Sequence, residues 1–326
     1  MSSRRCIEVP AEVRRKAAAQ GAPGRRWLDG LGAVVADLER AWDVVVGATL
    51  QGGSDAYVAE ATAGDGRRAI LKVALPGDDA SHEIEALRHA DGRGYVRLLR
   101  HDLELRAMLQ ERLGASLAES GLPVRAQLEV ICSALRRAWD VPPEPSFLSG
   151  ADKAAWLEAF IAETWHELGR PCAELVVECA LSFAEARRRA FDPARAVLVH
   201  GDAHSSNALM ALDGYKLVDP DGLFAEPACD LAVPMREHSR ELLDAADTLR
   251  AARERCEYLS RLTAVEPRAI WEWGFMERVS TGLLALRVGR EELGREMLAV
   301  ADELVTPWTY DVTSRPGWQS GEAGPP

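Results

Sequence analysis

The segment Val199-His200-Gly201-Asp202-Ala203-His204-Ser205-Ser206-Asn207 places several chemistry-bearing side chains directly behind a short apolar run. Four residues separate Asp202 from Asn207, and twelve residues past Asn207 comes a second carboxylate, Asp219, in Val218-Asp219-Pro220-Asp221-Gly222. A polar loop that leaves one strand and returns through a hairpin, here turning at Asp213-Gly214, presents such side chains together at a cleft. Phosphoryl transfer needs this inventory. One carboxylate accepts the proton of the attacking hydroxyl, while an amide oxygen and a second carboxylate hold Mg²⁺, which prefers hard oxygen ligands. Taken singly, Asp-x₄-Asn is ordinary loop sequence and Asp-Pro-Asp-Gly an ordinary turn.

The weight lies in the order of further parts. A Gly-rich turn, Gly52-Gly53-Ser54, is followed by the strand-like Ala69-Ile70-Leu71-Lys72 and then by a helical stretch bearing Glu83 and Glu85. Phosphate-covering amides, a strand lysine for the phosphates and a helix glutamate for that lysine are what a kinase needs in this order. The protein-kinase pattern H-R-D-x-x-x-x-N, followed by D-F-G, has the same Asp-to-Asn spacing.

Residues from about 42 to 290 resemble the aminoglycoside phosphotransferase family, and within it the streptomycin 6-kinase and hydroxyurea phosphotransferase group. The resemblance rests on His200-Gly201-Asp202-x-His204-x-x-Asn207, on Val218-Asp219-Pro220-Asp221-Gly222 and on Glu226-Pro227-x-x-Asp230-Leu231-Ala232. Gly92-Arg93-Gly94-Tyr95-Val96-Arg97-Leu98-Leu99, Leu109-Gln110-Glu111-Arg112-Leu113 and Glu277-Arg278-Val279-Ser280-Thr281-Gly282 also match the group. It implies a protein-kinase-like α+β fold of two lobes, an antiparallel sheet with one helix followed by a mainly helical lobe. It further implies Asp202 as catalytic base, Asn207 and Asp219 as Mg²⁺ ligands, and Lys72 on the nucleotide phosphates. Glu83 would be the partner of Lys72, with Glu85 as runner-up. Gly52, Gly53 and Ser54 would cover the phosphates. Gln110, Glu111 and Arg112 would form a hinge receiving the base of ATP or GTP, and Asp230 would brace the catalytic loop. The chain departs from the family at Ala203 and Ser205-Ser206, where Leu and Pro-Gly are commoner, and its nucleotide turn lacks a full G-x-G-x-x-G.

The elements that must position these residues are legible in outline. Residues 1–40 read as helical, with Trp27, Leu28, Leu31, Val34, Val35 and Leu38 at helical spacing. Trp42–Leu50, Tyr57–Thr62 and Ala69–Ala74 read as antiparallel strands, the last two joined by Gly64-Asp65-Gly66. A helix over Ala80–Ala90 and strands over Tyr95–His101 and Ala107–Leu113 complete a first lobe. Beyond Gly114 the chain is mostly helical, broken at Pro142-Pro143-Glu144-Pro145 and by the polar loop. The expected division is a nucleotide-binding lobe over 1–108, a hinge over 109–114, a catalytic and acceptor-binding lobe over 115–312, and a Gly/Pro/Ser-rich tail over 313–326.

Other signals carry less. His200 and His204 have the spacing of zinc ligands, but no Glu lies between them as H-E-x-x-H chemistry requires, so packing of His200 against the loop is preferred. Trp271 and Trp273 flank Glu272 and offer a cation site, with plain helix packing as the favoured reading. Glu237, His238, Glu241 and Asp244 form an acidic helical run whose default is a solvated face. The resemblance puts that run near the acceptor cleft, so Glu237, His238 and Glu241 join Trp271, Glu272 and Glu277 as acceptor candidates beside Asp202. Arg187-Arg188-Arg189 reads as surface.

Composition bounds the rest. The 326 residues are 47% apolar and 28% charged, ordinary for a globular protein of two lobes. With 39 basic and 51 acidic residues the formal charge is −12, which repels nucleic-acid backbones and attracts a small cationic acceptor. No apolar run approaches a membrane span, no export signal is visible, and six scattered cysteines read as reduced thiols, so a cytoplasmic protein is expected. The expected activity is transfer of the γ-phosphoryl group of ATP or GTP to a hydroxyl of an aminoglycoside or aminocyclitol antibiotic such as streptomycin, giving resistance. The alternatives are a kinase of hydroxyurea or a metabolite on the same fold, and a catalytically silent nucleotide-binding protein. Oligomeric state is left open.

Overall fold

A computed structural model of the chain describes residues 7–51, 53, 55–77, 80–142 and 147–305. Gly52, Ser54 and the tail over 313–326 lie outside the described residues. Two helices, α1 (Ala11–Ala19) and α2 (Ala22–Trp42), precede the strands β1 (Val44–Thr49), β2 (Ala56–Ala63) and β3 (Arg68–Ala74). The single expected helical region is thus broken, because Gly21 takes the left-handed φ of 68° that a glycine adopts without steric cost. Helix α3 (Ala80–Ala90) and strands β4 (Leu98–Asp102) and β5 (Ala107–Glu111) complete the first lobe. Its five strands are ordered β1-β2-β3-β5-β4, with every neighbouring pair antiparallel.

Strand alternation decides which side chains reach the cleft. In β3, Ala69, Leu71 and Val73 are buried in a small core with Val13, Ala17, Leu31, Val35 and Leu38 of the N-terminal helices. The two-residue period therefore turns Ile70 and Lys72 to the other face. On that side Ile84 and Leu87 of α3 join the main core, which continues into the helical lobe.

The second lobe runs through α4 (Val124–Ala138), β6 (Leu148–Ser149), α5 (Gly150–Glu167), α6 (Glu174–Ala190), β7 (Val197–Val199), β8 (Ala208–Ala211), β9 (Gly214–Leu217), β10 (Leu223–Ala225), α7 (Ala228–Arg236), α8 (Ser239–Leu243), α9 (Thr248–Thr263), α10 (Pro267–Arg287) and α11 (Glu291–Leu304). Helix α10 is buried almost all round, its charged Glu272, Glu277 and Arg278 included, and sits against α5, α6, α7 and α11. Strands β6, β10 and β7 form one small sheet, and β8 and β9 a hairpin.

Backbone hydrogen bonds stitch the lobes at two places. Val96 donates to the Leu217 carbonyl at 2.8 Å and Leu217 to Gly94 at 2.9 Å. After β5 the chain crosses over, with Gly114 donating to Met210 at 2.8 Å. Gly94 has φ 70°, and a Cβ there would lie 2.5 Å from the Ala138 nitrogen at the end of α4. Only glycine permits that approach. Among the described residues no helix is long and apolar enough to cross a membrane. Cys132, Cys172, Cys179, Cys229 and Cys256 are free thiols.

Candidate active site

Lys72, Glu83 and Asp219 come from three distant segments and meet in the cleft between the lobes. The Lys72 ammonium donates to both Glu83 oxygens at 2.7 Å and to Asp219 Oδ1 at 2.9 Å. Glu83 is therefore the glutamate that faces Lys72. Glu85, two residues on and hence on another face of α3, lies on the outside 3.8 Å from Arg88. Burial disfavours the charge on Lys72, but Asp219 and Glu83 outweigh it and hold its pKa well above the ordinary value. For Asp219 burial pushes the other way, and the adjacent Lys72 overcomes it, so its carboxyl is held below the ordinary range and is ionised. Asp219 also adopts a left-handed φ of 58°, a conformation that costs a non-glycine residue about 1 kcal/mol or more.

The catalytic-loop candidates are set by a buried frame. Asp230, in the first turn of α7, is fully buried. Its Oδ2 accepts from the His200 amide at 3.2 Å and the Trp139 indole at 2.8 Å, and its Oδ1 from the Gly201 amide at 2.9 Å. The His200 ring stacks on Tyr95 with centroids 5.9 Å apart. Its Nε2 lies 2.7 Å from the Val218 carbonyl and its Nδ1 accepts from the Asp202 amide at 3.1 Å. With one nitrogen donating and the other accepting, His200 is a neutral ring that fixes the loop. It is not a zinc ligand, and no cluster of three metal-binding His, Cys, Asp or Glu side chains occurs among the described residues.

Asp202 projects from this frame with a partly exposed carboxylate. Its Oδ1 accepts from Arg236 Nη2 at 2.7 Å, and its Oδ2 lies 3.5 Å from His204 Nε2. Burial raises its pKa, but the Arg236 guanidinium beside it outweighs that and keeps it below the ordinary value. The Asn207 amide nitrogen donates to the Asp202 carbonyl at 3.0 Å, which leaves the amide oxygen for another partner. An amide oxygen and an ionised carboxylate with a remaining oxygen are a donor set that suits Mg²⁺.

A cavity of about 570 Å³ opens beside Lys72 and Asp219. Lys72, Glu83, Asp219 and Asp221 line one side, and Leu148, Asp152, Lys153 and Trp156 of β6 and α5 the other. Asp221 folds over Gly201, whose φ of 88° and lack of a Cβ make room for it. Gln110 is buried within β5 and Glu111 ends that strand, where the chain leaves the sheet. Glu111 Oε1 is taken up by Lys216 at 2.5 Å and the Arg97 amide at 2.8 Å, and Arg112 donates to the Leu113 carbonyl at 2.8 Å. Gly53 lies next to Ala56 and Val58 at the start of β2.

Two of the acceptor candidates are corrected. Glu272 is 1% exposed and lies 2.5 Å from Arg187 and 2.7 Å from Arg268, so it is buried among cations of this chain and out of an acceptor's reach. Arg187 is accordingly a buried partner, also 3.3 Å from Glu226, and not a surface residue. Trp271 packs against the main core. Glu277 is likewise engaged at both oxygens, with Lys153 at 3.1 Å and Arg236 at 2.9 Å. Glu237 and His238 stand at the end of α7, and Glu241 lies 3.6 Å from Arg255. Burial, with Asp202 adding to it and Arg236 opposing, pushes Glu237 up to about 7, and its Oε2 has no hydrogen-bond partner.

Sequence reasoning missed Arg236 and Lys153. Each meets its partners across long sequence separations, 34 residues for Arg236 and Asp202, so no local spacing announces them.

Residues 41–289 match the family described as aminoglycoside/hydroxyurea antibiotic resistance kinase. The chain is 26% identical to a streptomycin 6-kinase of Streptomyces glaucescens over 308 residues, 93% of this chain and 99% of that protein. It is 32% identical to a hydroxyurea phosphotransferase of Kitasatospora aureofaciens over 231 residues, 69% of this chain and 67% of that one. Among solved structures, the choline kinase LicA from Streptococcus pneumoniae is similar in fold, with a TM-score of 0.57 at 15% identity over 83% of this chain and 97% of that one. The spectinomycin phosphotransferase APH(9)-Ia, solved with ADP and spectinomycin, gives 0.52 at 13% identity over 84% and 98%. The kinase-like lobes, the order of their parts and the extent of these matches lead to one conclusion: the chain belongs to the aminoglycoside/hydroxyurea antibiotic resistance kinase family and is a phosphotransferase.

Proposed function

We propose that the protein transfers the γ-phosphoryl group of ATP or GTP to a hydroxyl of a cationic aminoglycoside or aminocyclitol such as streptomycin. The observation that carries this reading is the convergence of Lys72, Glu83 and Asp219 beside a cavity rimmed by carboxylates. In the proposed reaction Lys72, steadied by Glu83, binds the donor's phosphate oxygens. Asn207 and Asp219 would hold Mg²⁺, which when bound neutralises charge on the donor phosphates. Asp202 orients the acceptor hydroxyl and takes its proton. The hydroxyl oxygen forms the new bond to the γ-phosphorus, the bond to the β–γ bridging oxygen breaks, and a nucleoside diphosphate leaves. Glu237, a half-buried carboxylate near Asp202, would meet a guanidinium or ammonium group of the acceptor.

The 32% identity to a hydroxyurea phosphotransferase supports hydroxyurea as the second acceptor to be tried. The test is nucleoside diphosphate release with a panel containing streptomycin, related aminoglycosides and hydroxyurea, followed by NMR assignment of the phosphorylated oxygen. Turnover of streptomycin with a phosphomonoester on one hydroxyl is the expected result. Turnover of hydroxyurea alone would move the acceptor assignment. Mg²⁺–nucleotide binding without any turnover would reduce the protein to a nucleotide-binding one.

A further inference from the structure

The Asp202 carboxylate does not stand alone. Arg236, the last residue of α7, gives Nη2 to Asp202 Oδ1 at 2.7 Å and Nη1 to Glu277 Oε2 at 2.9 Å. Glu277, on the buried helix α10, gives its other oxygen to Lys153 of α5 at 3.1 Å. Both cations and Glu277 are largely shielded, with side-chain exposures of 13% for Arg236, 16% for Lys153 and 8% for Glu277. The carbonyl of the preceding residue, Met235, is fixed in turn by the buried Arg278 at 2.6 Å, whose other terminal nitrogen meets Ser239 Oγ at 2.7 Å. Side chains of three helices, α5, α7 and α10, thus form one chain of charges directed at a single oxygen of Asp202.

We propose that Arg236, anchored by Glu277, is a positioning residue for the reaction. It holds Asp202 in one rotamer through Oδ1 and leaves Oδ2, which has only His204 Nε2 at 3.5 Å beside it, for the acceptor hydroxyl. A guanidinium fork suits this task because its two terminal nitrogens diverge in one rigid plane and bind two carboxylates at once. Glu277 is needed because Arg236 would otherwise be free to swing out with Asp202. Lys153 keeps Glu277 ionised and stationary by occupying its second oxygen. The motif Glu277-Arg278 thereby acquires a physical meaning: one side chain anchors Arg236, and the next anchors the backbone beside it.

This inference rests on the assignment of Asp202 as the base. Its test is a double-mutant cycle on turnover with streptomycin and MgATP, comparing Asp202→Asn, Arg236→Met, the double variant, Arg236→Lys and Glu277→Gln. MgADP affinity by calorimetry monitors folding and the nucleotide site. Misplacing a reacting group by about 1 Å can cost on the order of 100-fold. Arg236→Met is therefore expected to lose roughly 10- to 100-fold in kcat, with the KM for ATP within about twofold. Arg236→Lys should recover part of the loss and Glu277→Gln should fall between. The double variant should be no slower than Asp202→Asn alone, because Arg236 acts only through Asp202.

Additive losses would show that Arg236 works independently, for instance on the phosphoryl group itself, and would overturn the proposal. A normal kcat in Arg236→Met with a slow Asp202→Asn would also overturn it, while leaving the base assignment intact. A normal Asp202→Asn would overturn both. If wild type does not phosphorylate streptomycin, the acceptor reading fails separately, and the same cycle is read on MgATP hydrolysis with water as acceptor. If Arg236→Met does not fold, the cycle is completed with Arg236→Lys, where the same additivity criterion decides.

Discussion

Replacement of Asp230 by asparagine tests the frame that carries the catalytic loop. The wild-type carboxylate is fully buried and accepts three N–H groups, from His200, Gly201 and Trp139. Asparagine has the same shape but only one accepting oxygen. Placed where Oδ2 stands, that oxygen keeps the His200 and Trp139 bonds, and the amide NH₂ then faces the Gly201 N–H, donor against donor. The opposite orientation sacrifices two bonds and is disfavoured. One hydrogen bond to a charged group is thus lost, worth about 1.5–3 kcal/mol, and a buried amide is left unpaired at a cost of about 1–3 kcal/mol. Because these two costs overlap, a destabilisation of roughly 2–4 kcal/mol is expected. That is below the usual total of about 5–15 kcal/mol, so the variant should fold.

The functional cost falls on the neighbouring residue. Gly201 precedes Asp202, and its freed amide loosens the proposed base, so kcat should drop roughly 10- to 100-fold. Urea unfolding followed by tryptophan fluorescence, run beside steady-state kinetics at one pH, reads both effects. Asp230→Ala orphans all three donors and should lose about 3–9 kcal/mol, comparable to the whole stability of a domain. An Asp230→Asn protein with a wild-type urea midpoint and wild-type kcat would refute the reasoning.

Two further outcomes follow from other parts of the structure. Gly94→Ala would set a Cβ 2.5 Å from the Ala138 nitrogen at a left-handed φ, so a loss of about 2–4 kcal/mol is expected in the same urea assay, with no compensating contact. Because burial pushes Glu237 to about 7, it becomes a full anion only above neutrality. A guanidinium acceptor stays protonated throughout, so its KM should fall up to about tenfold between roughly pH 6 and pH 8, and Glu237→Gln should abolish that dependence. A flat KM profile in wild type would remove Glu237 from acceptor recognition.

Features written in local spacing were legible in the sequence. The helix over Ala80–Ala90 was read with its observed bounds, and the strand-turn-strand around Gly64-Asp65-Gly66 emerged as the β2–β3 hairpin. Alternation and turn chemistry act between near neighbours, so they can be read before folding. The five-residue step from Asp202 to Asn207 likewise singled out two residues that the fold joins by a 3.0 Å hydrogen bond. The break at Gly21 was missed because helical periodicity continues on both sides of a single left-handed residue.

What tertiary structure alone decided concerns partners. Glu83 and Glu85 are equivalent by composition, and only the placement of α3 against the sheet turns one to Lys72 and the other outward. Glu272 and Glu277 look alike in sequence as candidates for a cationic acceptor, yet each is already paired with two cations of this chain. A charge declares its type in the sequence, but its role depends on which opposite charge the fold brings within reach. Attraction between buried ions acts over a few ångströms of space, regardless of how many residues of chain lie between them.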